Sequence, residues 1–364
     1  MSAELYVGLM SGTSLDGVDA VLADLAGPAP RILASAHRPF DAALRAELLA
    51  LNAPGNGELE RAALCANTLS RIYAAAVADV LARASVAATC VRAVGCHGQT
   101  VRHRPEAGYT LQLGNAALLA ELCGVRVVAD FRSRDVAAGG QGAPLAPAFH
   151  AAVFRVDSED RAVLNIGGIA NLTWLPPRRS VAGFDCGPGN CLMDRWAELH
   201  LGTPLDRDGA WASGARADPE LLARLLDEPF FAQPPPKSTG RDLFNEAWLR
   251  ARLAHGADPQ GIQATLLELT ARTVADALAR NCRGTQRLIV CGGGVRNSAL
   301  MARLRALLAP LPVESSEQHG IDPSLVEATA FAWLARQALE EKPASLPSVT
   351  GARGARVLGA IYPP

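Results

Sequence analysis

Lysine is almost missing from this chain: Lys237 and Lys342 stand alone among 35 basic residues, and the others are arginine. Neither lysine follows a glycine loop, so the G-x-x-x-x-G-K-[ST] phosphate loop is excluded and a phosphate site must come from main chain, hydroxyls and arginine. Aromatic residues are also scarce, at 5%. No apolar run approaches the length of a bilayer span, and residues 1–10 have neither the basic start nor the apolar core of a secretion signal. Those absences predict a cytoplasmic protein with no membrane partner. The eight cysteines form no C-x-x-C pair and no zinc-type pattern with histidine, which predicts reduced thiols. Charge of one sign is missing too: the formal net charge is -1, and no basic run is long enough to track a phosphate backbone, so nucleic acid is excluded as a partner.

What is present describes an ordinary globular chain, 364 residues long, 49% apolar and 20% charged. That length is too great for one typical core, so two lobes are expected, over 1–130 plus 345–364 and over 131–344. A strand at 6–9, a turn-rich stretch from Met10 to Gly17 and a strand at 18–25 read as a hairpin with an enlarged loop. Cys65, Leu69, Ile72, Ala76 and Val80 recur at steps of three and four, one apolar face of a long helix. Strands at 91–95, 109–113 and 125–129 follow, with a helix at 115–123 stopped by Gly124. A second strand, glycine turn and strand at 163–174 echoes the first hairpin and hints at internal duplication. Leu267, Thr270, Val274 and Leu278 mark a helix, 288–291 a buried strand, and Leu300, Leu304 and Leu307 the inner face of another helix. Asp322-Pro323 reads as the cap and first residue of a helix through Val326, Ala330 and Leu334, and 357–362 as a last strand.

The stretch Gly12-Thr13-Ser14-Leu15-Asp16-Gly17-Val18-Asp19 offers main-chain N–H groups, two hydroxyls, and two carboxylates able to hold Mg²⁺ or its waters. Alone it reads as a plain hairpin loop. The stretch Asn165-Ile166-Gly167-Gly168 would be a second main-chain nest. Gly292-Gly293-Gly294, after a buried strand and before a helix capped by Asn297 or Ser298, suits close approach of a nucleotide to the backbone. Three glycine turns at strand ends in this order resemble the phosphate-1, phosphate-2 and adenosine elements of the actin and hexokinase-like superfamily. The resemblance implies an α/β fold of two duplicated ribonuclease H-like lobes with the active site in the cleft between them.

A narrower resemblance rests on longer motifs. The run from Gly8 to Asp19, Gly95-Cys96-His97-Gly98-Gln99-Thr100, Asp130-Phe131-Arg132, the segment 139–145 and the segment 164–172 are similar to the signatures of anhydro-N-acetylmuramic acid kinases. So are Gly187-Pro188-Gly189-Asn190, Lys237-Ser238-Thr239-Gly240-Arg241, the segment 291–294 and the segment 346–351, and the likeness runs from Val7 to Tyr362. It implies a homodimeric kinase that uses ATP and Mg²⁺ to open the 1,6-anhydro ring with water and phosphorylate O6, a step of peptidoglycan recycling.

That chemistry needs a general base beside the sugar and O6 in line with the γ-phosphate. Asp185, after the strand-like 181–184, matches the family's catalytic aspartate, and an ordinary aspartate pKa of about 3.9 would leave it ionised at neutral pH. Without the family it could equally cap a helix at 192–200. The family usually has threonine where Cys186 stands, so one hydroxyl near the base is expected to be missing. His97 and Gln99 at a strand end, Asp130 and Arg132 in the loop entering the second lobe, and Glu327 on a late helix are the candidates for sugar contacts. Arg132 would suit a bidentate pair with the lactyl carboxylate. A structural hydrogen-bonding role is the alternative for each. Thr239 with Asp242 also reads as a capping box. Hexokinase-like relatives carry an acidic residue before the first glycine turn, where this chain has Gly8, so Mg²⁺ ligation is expected to move to Asp16 or Asp19. An ordinary sugar kinase would lack the segments around His97 and Gln141, and a non-catalytic actin-like scaffold would have no need of Asp185.

Overall fold

The computed structural model describes residues 3–12 and 14–364, so Thr13 of the first glycine turn lies outside the described residues. The chain divides into two compact units, Met1–Val153 with Leu325–Pro364, and Phe154–Ser324. The expected divisions at 130 and 344 are corrected to 153 and 324. Packing is the reason: Phe131 and Leu145, together with Phe331, Leu334 and Ala338, are buried in one core with Tyr6, Ala93 and Val128 of the first unit.

In the first unit the strands are β1 (Leu5–Met10), β2 (Gly17–Asp24), β3 (Arg31–Pro39), β4 (Val91–Cys96), β5 (Gln99–Arg104), β6 (Tyr109–Leu113) and β7 (Val127–Ala129). The main sheet runs in the order C-terminal strand (Ala360–Tyr362), β7, β4, β1, β2, β3, while β5 and β6 form a separate hairpin. β1, β2 and β3 are antiparallel neighbours, whereas β4 is parallel to β1 and β7 to β4. Strand alternation then assigns the faces. Leu5, Val7 and Leu9 of β1 enter the core under Leu69, Tyr73 and Val80 of the helix Glu58–Ala84. Tyr6 faces the other way, towards the helix Val326–Leu339.

That second helix rests almost on the main chain. Gly8 and Gly95 are register partners across β1 and β4. A Cβ on Gly8 would lie 1.9 Å from the Ala328 carbonyl oxygen, and one on Gly95 2.0 Å from that of Phe331. An acidic side chain at Gly8 has no space. The start of this helix also differs from expectation. Asp322 accepts the Ser324 N–H at 2.8 Å and opens a 3₁₀ turn, Pro323–Leu325, and the α-helix begins only at Val326, with no side-chain cap.

The second unit has β8 (Arg161–Ile166), β9 (Ile169–Leu175), β10 (Ala182–Pro188), β11 (Arg287–Cys291) and β12 (Val313–Ser315), in the order β10-β9-β8-β11-β12. β8, β9 and β10 are antiparallel neighbours, and β11 and β12 continue parallel to β8. The first unit's β3-β2-β1-β4-β7 has the same pattern, so one ribonuclease H-like α/β topology occurs twice. The helix Pro259–Asn281, capped by Asp258 through the Gln260 and Gly261 N–H groups, carries Leu266, Leu269 and Val274 into the core of this unit. All eight cysteines are free. No helix among the described residues is long and apolar enough to cross a membrane.

Candidate active site

In the second unit β8, β10 and β11 point the same way, so their carboxyl ends share one edge of the sheet. Ligands of open α/β sheets bind at such an edge. Gly167-Gly168 follows β8, Asp185 in β10 pairs with Asn171 level with Asn165 near the end of β8, and Gly292-Gly293-Gly294 follows β11.

Asp185 is half-buried, and a segment running alongside holds it at both ends. Its N–H donates to the Lys237 carbonyl at 3.1 Å, and its Oδ2 accepts the Thr239 N–H at 2.9 Å. Burial pushes the carboxyl up to about 7, opposed by the Thr239 N–H and the Lys237 ammonium. The ordinary value expected from the sequence is therefore corrected: near neutrality this group both takes and releases a proton, which suits a general base. Helix capping is ruled out as its role, because the helix Cys191–Leu201 begins at Asn190 with no side-chain cap. Instead, the Gly168 carbonyl accepts the N–H groups of Gly189 and Cys191, and the Gly167 carbonyl that of Asn190. No helix starts at Thr239 either. The next begins at Glu246, capped by Asn245, so the capping box of Thr239 and Asp242 is not formed.

Cys186, at the register shift between Asp185 and Gly187, is buried with Phe184 in the core of the unit. On the segment that bonds Asp185, Thr239 Oγ1 is buried with no hydrogen-bond partner among the described residues.

The glycine turns after β8 and β11 pack together. Gly292 has φ +83°, and a Cβ there would lie 2.4 Å from Asn165 Oδ1, while one on Gly294 would lie 2.3 Å from Ile166 Cγ2. Gly293 has nothing within 4 Å. Asn165, at the end of β8 and part of the glycine-turn motif, has a buried Oδ1 with no partner among the described residues. The helix Ser298–Leu308 is capped by Asn297, which accepts the Leu300 N–H at 3.0 Å.

In the first unit β1, β4 and β7 are parallel, so Ser11, His97 and Asp130 come to one edge. His97 is buried. Its Nδ1 lies 3.1 Å from the Ser11 carbonyl oxygen, and its Nε2 accepts from Arg132 Nε at 3.2 Å and Nη2 at 2.9 Å. Burial and the Arg132 charge push the imidazole down to about 3, so His97 is neutral and donates through Nδ1. Arg132 also donates to the Gly142 carbonyl at 2.8 Å. Burial lowers its pKa to about 10, opposed by the charges of Glu327 and Asp135, so the guanidinium stays charged. Gln99 Nε2 donates to the Gly12 carbonyl at 3.1 Å, leaving Oε1 buried with no partner among the described residues. His97 and Gln99 thus hold the main chain of the first glycine turn. His97 and Asp130 also line one cavity of about 170 Å³ with Ser70, Cys96 and Gln112. Asp130 adopts φ +57°, a left-handed conformation that few side chains tolerate and that often marks functional loops.

Within the first glycine turn the residues divide. Leu15 and Val18 are core side chains, and a Cβ on Gly17 would lie 2.3 Å from the Arg38 carbonyl oxygen of β3, so any ligand contact from these three must be through main chain. Gly12 is different: an added Cβ would meet nothing closer than Ser14 Oγ at 3.8 Å. Ser14 Oγ donates to Asp16 Oδ1 at 2.7 Å, and Asp19 Oδ1 pairs with His37 Nδ1 at 2.8 Å. Among the described residues no three His, Cys, Asp or Glu side chains form a metal-holding group. One or two carboxylates fit Mg²⁺ held largely by water and phosphate, and do not fit a fully protein-ligated ion.

A family model for anhydro-N-acetylmuramic acid kinase matches residues 4–364. A kinase of that name from Variovorax paradoxus is 58% identical over 374 residues, covering all of both chains. One from Bordetella pertussis is 57% identical over 364 residues, covering 99% of this chain and 96% of its own. One from Nitrosospira multiformis is 52% identical, again over the whole of both. With the family's motifs standing at the carboxyl edges of two like sheets, this chain belongs to the anhydro-N-acetylmuramic acid kinase family.

Proposed function

We propose that this enzyme converts 1,6-anhydro-N-acetylmuramic acid, water and ATP to N-acetylmuramic acid 6-phosphate and ADP, in cytoplasmic peptidoglycan recycling and as a homodimer. The observation that carries the reading is Asp185: a half-buried carboxyl at the carboxyl edge of its sheet, fixed by the Thr239 N–H and held near neutrality. Asp185 takes a proton from water as the water oxygen bonds to C1. The C1–O6 bond breaks with its electron pair going to O6, and O6 attacks the γ-phosphorus and displaces ADP.

The other residues have supporting roles. Main chain at Gly12, Thr13, Ser14, Gly167 and Gly168 serves the phosphates, and the space beside Gly293 serves the adenosine. Arg132, oriented by neutral His97, pairs with the lactyl carboxylate, and Gln99, Asp130 and Glu327 contact the sugar. Asp16 or Asp19 would hold Mg²⁺ directly or through its waters, and the ion would supply positive charge to offset that of the phosphates. The test is ADP release measured with and without the anhydro sugar, with the product identified by mass. Sugar-dependent ADP release with a ring-opened 6-phosphate is expected. Sugar-independent turnover, or a phosphorylated sugar with its anhydro ring intact, would overturn the reading.

A further inference from the structure

Lys237 makes contacts unusual for a lysine in a chain that has almost none. Its Nζ turns back onto the main chain. It donates to the carbonyls of Phe230 at 3.1 Å and Phe231 at 3.3 Å, and stands 4.6 Å from the centroid of the Phe230 ring. Two carbonyls and an aromatic face all favour a cation, so the end of the side chain is fixed in position. Phe230 is itself buried in the core of the unit, with Phe244 5.8 Å away between ring centroids. The other end of the same residue bears on the base: the Lys237 carbonyl accepts the Asp185 N–H, and two residues on the Thr239 N–H donates to Asp185 Oδ2.

We propose that Lys237 is a positioning residue for the reaction: by anchoring residues 237–239 to the Phe230 and Phe231 carbonyls it holds the Asp185 carboxyl in place, with its positive charge favouring the ionised form. The inference rests on Asp185 being the base. Lys237 is the charged group whose field reaches Asp185, and Lys237 itself feels Cys186 of β10 and Arg280 of the helix Pro259–Asn281. Cys186 is a buried thiol held protonated, so it brings no charge of its own. Arg280 opposes the Lys237 charge and is the second cation in the neighbourhood, but it is not among the groups that act on Asp185.

The sign follows from the charges. The Lys237 ammonium favours the ionised carboxylate and so lowers the pH at which Asp185 becomes active. Removing that charge must move the acidic limb of the kcat/KM profile to higher pH. Lys237→Met is therefore expected to lose about threefold to tenfold activity at about pH 6 and distinctly less at about pH 9, with ATP affinity unchanged by calorimetry. Lys237→Arg keeps a cation and should leave the limb where it is. Lys237→Gln, which keeps a donor for the two carbonyls without the charge, should move the limb as Met does and serves if the Met variant does not fold. An equal loss at every pH in Met and Gln, with no movement of the limb, would overturn the proposal and leave Lys237 as packing. Failure of the base assignment itself shows differently, as wild-type turnover in Asp185→Asn.

Discussion

Replacing Gly8 by alanine, an addition of a single methyl group, should loosen the first unit and disturb the sugar contacts together. The new Cβ would stand 1.9 Å from the Ala328 carbonyl oxygen, and since real Cβ contacts stay beyond 3.0 Å the helix Val326–Leu339 must lift by about 1.1 Å. The obstruction is backbone on both sides, so no rotamer change relieves it. A gap of about 0.5–1 Å already forfeits a quarter to a half of each dispersion contact. The lifted face carries Phe331, Ala332 and Ala335, all packed on the sheet. That puts the cost at the top of the usual overpacking range, about 3 kcal/mol, against a typical total stability of about 5–15 kcal/mol. For a unit of this size the melting temperature should fall by roughly 6–12 °C. Glu327 is the residue next to the clash, so KM for the sugar should rise while ATP affinity holds. Differential scanning calorimetry with steady-state kinetics checks both. A variant that melts within about 1 °C of wild type with unchanged KM would refute the close-packing argument.

Gly12→Leu should behave in the opposite way, because an added Cβ meets nothing closer than Ser14 Oγ at 3.8 Å: normal melting, with ATP affinity lost by calorimetry. Unchanged ATP affinity would remove the phosphates from this turn. The kcat/KM profile should rise with pH through about 7, since Asp185 is protonated and inactive below that value and ionised above it. A limb near about 4 would mean an unperturbed carboxyl. The same shift bears on stability. The folded protein holds the Asp185 proton more tightly than the unfolded chain, so wild type gives up stability as pH rises from about 4 to 7, and Asp185→Asn, which never ionises, should melt above wild type at about pH 8. Equal melting there would contradict the raised value.

Much of this was readable before the structure because it depends on local pattern. The helix Glu58–Ala84 shows its three-and-four spacing, Asn115 and Gly124 bracket the helix Ala116–Cys123 as cap and left-handed stop, and both hairpins end on glycine turns. β3 and β5 escaped notice because their apolar residues are small or few: Arg31 to Pro39 alternates around Ile32, Ala34 and Ala36, and β5 is mostly polar. The division of the chain was misplaced for a related reason. Where a linker ends depends on what Phe131 and Phe331 pack against, and that information is tertiary. The candidate site was legible as residue types but not as environment. Asp185 could be chosen from its motif, but its raised pKa comes from burial, and the segment that holds it read as a helix cap because threonine and aspartate three residues apart usually signal one. Likewise His97 and Gln99 were visible as polar residues at a strand end, but only the structure shows them bonded to the carbonyls of Ser11 and Gly12.

The central claim is that Asp185 governs ring opening and phosphoryl transfer as one event, and Asp185→Asn in ¹⁸O-labelled water tests it most directly. The amide keeps the shape and loses the basic oxygen, so ATP and the anhydro sugar should bind nearly as in wild type while turnover falls by roughly a thousandfold or more. The account predicts that ¹⁸O incorporation at C1 and ADP release fall by the same factor, and that the residual product carries both the label and the 6-phosphate. Labelled, ring-opened sugar without ADP, or ADP and a phosphorylated sugar whose anhydro ring is intact, would contradict it.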